Sequence, residues 1–216
     1  EFEQICDYER IPGLVENCGS GDCEPVFGTF GFGKKKPIYD ALFTALDTND
    51  DDRIDGEDDA CEVNLLTFSW GGATAAKIAA ELPDDERVSD GHGRITRLLL
   101  IEPYRPTGRL VIPDTVRTTR VWRQSSTPAT DCSRYSPAGP YRGFPPECPD
   151  GADCVDTDLS TGGEDYEIGG VVVDGDEIGH CLVPAAVRDP LMEALYDAEH
   201  LAEVTPEEPE SSPLSP

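Results

Sequence analysis

The sequence predicts an α/β domain built on a mostly parallel sheet flanked by helices. Short apolar runs alternate with helix-patterned segments, the order that generates βαβ units and a parallel sheet. The runs 63–68 and 95–101 are predominantly apolar, as strands covered on both faces are. Directly after the first of them comes an alanine-rich segment, 71–82, whose small residues suit close packing on a sheet.

Residues 1–24 hold Cys6, Cys18 and Cys23 among Gly and charged residues and are expected to form a disulfide-tethered extension. The domain is expected over 25–203. It begins with a short apolar strand and a glycine-rich turn, Pro25 to Gly33. Pro37 suits a first helical turn, and Ile38, Leu42 and Ala45 fall on one helical face before an acidic cluster begins. Val63 to Phe68 reads as a buried strand, and Pro83 with Asp84 and Asp85 ends the helix that follows it. Ile95 to Ile101 and Val116 to Trp122 are further strands. The stretch from Ser125 to Gly169 is rich in Pro, Gly, Ser and Cys and reads as a long loop of functional or disulfide-pinned kind. Val171 to Val173 is a short strand, and Val187, Leu191, Leu195 and Ala198 give a last amphipathic helix. Residues 204–216, rich in Pro, Glu and Ser, are expected to be a disordered tail.

Composition narrows the function classes. The 216 residues, 38% hydrophobic, suffice for one sizeable core. With 44 acidic against 17 basic residues the formal charge is −27, a field that repels nucleic acid and anionic membranes. Such acidity fits cation binding or solubility in a salty medium. No run is long and apolar enough to span a membrane, and the chain opens at Glu1 without an apolar leader, as expected once a leader has been removed. Eight cysteines, none at zinc-finger spacing, indicate disulfides and an extracellular or periplasmic location. They allow 105 pairings; Cys132 with Cys148 or Cys154 would staple the long loop locally. A monomer is expected.

One segment carries chemistry. In Asn64-Leu65-Leu66-Thr67-Phe68-Ser69-Trp70-Gly71-Gly72, a serine stands at a strand end with glycines opening a helix. A sharp turn there forces the serine into a strained backbone conformation and lifts its hydroxyl above the sheet edge. A serine before a helix also serves as an N-cap. The arrangement resembles the Gly-x-Ser-x-Gly nucleophile elbow of the α/β-hydrolase family, with Ser69 and Gly71 matching and Thr67 in place of the first glycine. The resemblance spans roughly residues 25–200 and is to compact lipases and esterases. It implies a secreted serine hydrolase acting on small-molecule or lipid esters, without an organic cofactor.

The same resemblance implies the remaining machinery. Gly28-Thr29-Phe30-Gly31-Phe32-Gly33 looks like the family's oxyanion loop, so amides near Phe30 and Gly31, with that of Trp70, would hold a developing oxyanion. The base would be a histidine late in the chain, at the carboxyl edge of the sheet. His92 lies on a connection at the amino edge and His200 among surface charges, which leaves His180. Two acids remain open: Glu102, at the end of the strand after the elbow helix, and Asp131, after the next strand. Glu102 is preferred. Phe30, Phe32, Phe68 and Trp70 would line an apolar acyl pocket or pack in the core.

A second motif is independent of the first. Residues 47–58 resemble an EF-hand calcium loop, with oxygen donors Asp47, Asn49, Asp51 and Asp55 at positions 1, 3, 5 and 9. The Arg53 carbonyl stands at position 7 and Asp58 at position 12. Position 6 is Asp52 where glycine is usual, and the aspartate at position 12 resembles dockerin-type loops. The loop joins a helix to the amino end of the Val63 strand, so calcium here is expected to stabilise and not to catalyse. The competing expectation is a catalytically inactive hydrolase fold acting as an extracellular calcium-binding module, or an interaction protein in which Ser69 is only a cap.

Overall fold

The computed structural model describes residues 35–47, 49–56, 63–69, 71–105, 108–126, 143–168, 170–180 and 182–195. The expected extension 1–24, the strand at 25–33 and the tail 204–216 lie outside these residues.

Helix α1 (Lys35–Leu46) buries Ile38, Leu42, Phe43 and Leu46. Lys36 and Asp40 pair along its exposed face, and the Arg87 guanidinium lies 3.8 Å from the centre of the Phe43 ring. Strand β1 (Asn64–Phe68) leads into α2 (Gly71–Glu81), whose buried Ala75, Ala76, Ile78 and Ala79 form its sheet-facing side. Small side chains there let the helix axis approach the strands. A single 3-10 turn, Leu82–Asp84, ends the helix at Pro83, as the sequence predicts.

Strands β2 (Ile95–Ile101), β3 (Val116–Arg123) and β4 (Asp153–Asp158) complete a parallel sheet in the order β1-β2-β3-β4. The class is therefore α/β. Side chains alternate across β2, and the consequence is two cores. Leu98 and Leu100 join α1, α2, Leu110, Ile112 and Val121 on one face. Leu99 and Ile101 join Trp122, Leu159, Ile178, Val183, Val187 and Leu191 on the other. This is why the 95–101 run reads as continuously buried. The second core includes two short helices, α3 (Val183–Ala186) and α4 (Arg188–Leu195).

Two expectations change. The stretch 125–169 is not one long loop, because it contains β4 and also β5 (Asp165–Ile168). Strand β4, Asp-Cys-Val-Asp-Thr-Asp, lacks an apolar face and lies mostly exposed at the sheet edge. Charge holds it instead: Arg120 reaches Asp153 at 2.8 Å, and Arg123 reaches Asp156 at 2.9 Å and Asp158 at 2.8 Å. Charged edge strands guard against pairing with other chains, and hydrophobic periodicity does not register them. The second change concerns β6 (Val171–Asp174), which pairs antiparallel with β5 in a separate hairpin and leaves Val171 and Val172 exposed. Cys148 and Cys154 bond to each other across the turn that starts β4, so neither serves Cys132, which lies outside the described residues.

The register aligns the strand ends. Phe68 pairs with Ile101 and Ile101 with Trp122, so the carboxyl ends of β1, β2 and β3 are flush. Ser69, Glu102 and Arg123 therefore stand level, each next after those paired residues.

Leu98 is fully buried in the interior strand β2. Leu98→Ala should cost about 2–5 kcal/mol of unfolding free energy in urea titrations. Val172→Thr, on the exposed hairpin, should stay within about 0.5 kcal/mol.

Candidate active site

Ser69 leaves β1 with φ +55°, a conformation that bulky L-residues rarely adopt. Three main-chain hydrogen bonds hold it there. Its N–H donates to the Ile101 carbonyl (3.0 Å), and its own carbonyl accepts from Gly72 (3.2 Å) and Tyr104 (3.0 Å). The turn is thus fastened to the end of β2 on one side and to the first turn of α2 on the other. A β-carbon at Gly72 would come within 3.1 Å of the Pro103 side chain and 3.4 Å of Leu100, so the helix packs tightly on the end of β2 there. Thr67, two residues before Ser69, is buried with its hydroxyl 3.5 Å from the Leu99 carbonyl. The sheet interior accommodates it.

Glu102 repeats the same backbone device one strand over. It too is left-handed, with φ +49°, and its N–H donates to the Trp122 carbonyl at 2.7 Å. The side chain is fully buried. One carboxylate oxygen, Oε1, accepts from the Gln124 amide, and the other, Oε2, lies 2.9 Å from His180 Nδ1. Burial pushes the Glu102 carboxyl above its usual range, against the opposing pull of His180 and of main-chain amides.

His180 arrives from far downstream, 78 residues after Glu102. It is 6% exposed and follows a turn at Gly175–Glu177 and the fully buried Ile178. Just after it, the Leu182 and Val183 amides donate to the Gly179 carbonyl, which curls the chain into α3. The imidazole lies against Phe68, with ring centres 4.8 Å apart. His180 thus touches the residue before Ser69 and the acid level with it. The structure gathers Ser69, Glu102 and His180 at the carboxyl end of the sheet. Among the described residues, Glu102 is the acid that meets His180; Asp131 lies outside them, as do Trp70, Phe30 and Gly31. Sequence reasoning misses Gln124, because a main-chain donor just past β3 leaves no signature in a sequence.

The acidic loop lies at the other end of the sheet. Ile54 bridges Val88, donating to the Arg87 carbonyl and accepting from Ser89 (2.9 Å each), a few residues before β2 begins. The Asp47 carboxylate accepts the amides of Asp51 (3.1 Å) and Asp52 (2.9 Å), Asn49 accepts that of Asp51 (3.0 Å), and Asp51 accepts that of Arg53 (3.0 Å). Asp52, standing at the usual glycine position, has φ +63°. The donor set suits a hard cation. Among the described residues no three His, Cys, Asp or Glu side chains gather as a metal cage; Asp58 lies outside them. His92 also sits toward this end, its amide bonded to the Ser89 carbonyl, away from Ser69.

No protein-family model, curated protein or solved structure matches the chain.

The buried acid has a thermodynamic consequence. A carboxyl whose pKa is raised on folding binds its proton more tightly in the folded than in the unfolded state. Its stabilisation is complete at low pH and is lost as pH rises from the ordinary carboxylate range through the raised value. Glu102→Gln removes that loss while keeping shape. Urea titrations should therefore show the variant gaining stability relative to the parent as pH rises toward neutrality; a constant difference across pH would contradict the burial argument.

Proposed function

We propose that this protein is a serine hydrolase that cleaves carboxylic esters through an acyl-enzyme, with the fold and site arrangement of a compact α/β-hydrolase. The observation that supports it most is the buried Glu102–His180 pair, 2.9 Å apart, beside a serine in a left-handed turn at the same sheet end. A structural core has little use for an ionisable pair of this kind, which leaves an uncompensated charge if either partner is lost.

The chemistry follows from the pair. Glu102 accepts a hydrogen bond from the Nδ1–H of His180 and so makes Nε2 the basic nitrogen. Nε2 takes the proton of Ser69 as Oγ bonds to the ester carbonyl carbon. Main-chain amides of Trp70, and of Phe30 or Gly31, steady the oxyanion. The tetrahedral adduct collapses, the C–O bond to the alcohol breaks, and the imidazolium returns its proton to that leaving oxygen. Water then enters in the alcohol's place, with His180 as base again, and the acid product departs from Ser69. Throughout, the Glu102 carboxylate stabilises the imidazolium. The aromatic residues Phe30, Phe32, Phe68 and Trp70 favour an apolar acyl group. Cysteine usage and acidity favour a secreted, monomeric enzyme that binds small-molecule or lipid esters and not nucleic acid.

We further propose that calcium binds the loop 47–58 through Asp47, Asn49, Asp51, the Arg53 carbonyl, Asp55 and Asp58. What supports this is a donor pattern of EF-hand type together with a left-handed residue at its sixth position. The loop is remote from Ser69, so the ion takes no part in the reaction and serves to tie α1 to the segment before β2.

Ser69→Ala should abolish both p-nitrophenyl ester turnover and covalent labelling by a fluorophosphonate, with the circular dichroism spectrum unchanged. Labelling that persists in this variant would refute the nucleophile, and no labelling of the parent would leave the inert binding module. For the loop, calcium at about 100 times its Kd should add about 2.7 kcal/mol of stability, seen as a raised melting temperature that chelator reverses. Superimposable melting curves would remove the ion from the account.

A further inference from the structure

We propose that Gly143 is a positioning residue of this site: its main-chain amide and its missing side chain hold the Glu102 carboxylate in place against His180. The inference rests on the hydrolase reading and adds a residue far from the serine motif that its chemistry requires.

Three observations carry it. The Gly143 amide donates a hydrogen bond to the Glu102 carboxylate, as the Gln124 amide does. A β-carbon at Gly143 would stand 2.5 Å from the Arg123 β-carbon, 3.2 Å from Glu102 Oε1 and 3.4 Å from Glu102 Cα. The Arg123 β-carbon and the Glu102 backbone in that set cannot yield cheaply, so the Glu102 carboxylate is what would be displaced. The Arg123 contact is with the stem next to the backbone of β3, and its guanidinium is fixed by Asp156 and Asp158. Gly143 itself is anchored, since the next amide, Phe144, donates to the Pro103 carbonyl at 3.0 Å. The Gly143 φ is not left-handed, so the demand for glycine is one of space.

The function of the contact follows from charge. A carboxylate sealed from water takes up a proton unless donors favour its ionised form, and two main-chain amides supply such donors. Among the described residues, the titratable groups around it are His180 on one side and Arg123 behind Gly143, and the latter is engaged by Asp156 and Asp158. The amides therefore oppose the effect of burial, favour the ionised form of Glu102 and aim it at Nδ1, the state in which His180 acts as a base.

Gly143→Ala should lower kcat/KM for p-nitrophenyl esters at neutral pH by about tenfold or more, with the acid limb of its pH profile moved upward and activity partly recovered at higher pH. In a Glu102→Gln background the same substitution should have little further effect on activity, because the carboxylate charge that it positions is gone. A Gly143→Ala profile superimposable on that of the parent would overturn the proposal. A measurement on the parent protein decides the matter even if the variant does not fold. The Gly143 and Gln124 amide proton shifts should titrate in step with the Glu102 side-chain carbonyl carbon in NMR spectra, and a Gly143 amide indifferent to that titration would also overturn it. If the parent neither turns over esters nor labels, the hydrolase reading fails while the amide titration still reports on the contact itself.

Discussion

The contact between the Glu102 carboxylate and the His180 imidazole constrains most of the structure around it. A fully buried carboxylate is costly, and its environment must return hydrogen bonds for those lost to water. Meeting that need takes contributions from widely separated parts of the chain. The left-handed backbone at Glu102 turns the side chain in toward the sheet end, the end of β3 presents the Gln124 amide, and the turn at Gly175–Glu177 delivers His180 over Ile178. The flush register of β1, β2 and β3 then sets Ser69 level with the acid. Shifting any one of these strands by a residue would separate the groups.

The two ends of the sheet carry different burdens. At the carboxyl end two non-glycine residues, Ser69 and Glu102, hold left-handed conformations at neighbouring strand ends, while Asp50 and Asp52 do so in the acidic loop at the other end. Acidic charge is collected at the amino end and along the β4 edge. There the few basic residues are placed to meet it: Arg87 binds Asp85 and lies close to Asp52, and Arg120 and Arg123 cover β4. Hydrogen bonding from Arg87 holds Asp85 well below the usual carboxylate range, and that from Arg120 lowers Asp153. The contacts of Arg87 with Asp52 and of Arg120 with Asp153 include an exposed partner and organise the surface more than they stabilise it, whereas Arg123 and its aspartates are largely shielded from water.

Much of this was legible in the residues, and the remainder was hidden for physical reasons. The apolar runs locate β1, β2 and β3 within a residue or so, and the alanine-rich segment locates α2, because burial on both faces leaves a compositional trace. Edge strand β4 leaves none, since its partners are guanidinium groups on β3. The Val171 segment is recognisable as a strand, but a hairpin of its own cannot be told from a sheet strand by a run of three valines. At the site, Ser69, Glu102 and His180 can be ranked from motif, strand ends and elimination. Gln124 and Gly143 cannot, because each acts through its amide, and only three-dimensional proximity shows which carboxylate receives it.

The central claim is that Glu102 fixes the imidazole of His180 with its proton on Nδ1 and its basic nitrogen directed to the chemistry of Ser69. Side-chain nitrogen-15 NMR of His180, before and after phosphonylation of the protein, tests this most directly. The account predicts a protonated Nδ1 and an unprotonated Nε2 in the untreated protein at neutral pH, with the Nε2 signal displaced once Ser69 carries the phosphonate. A proton on Nε2 in the untreated protein, or His180 signals unmoved by modification of Ser69, would contradict it.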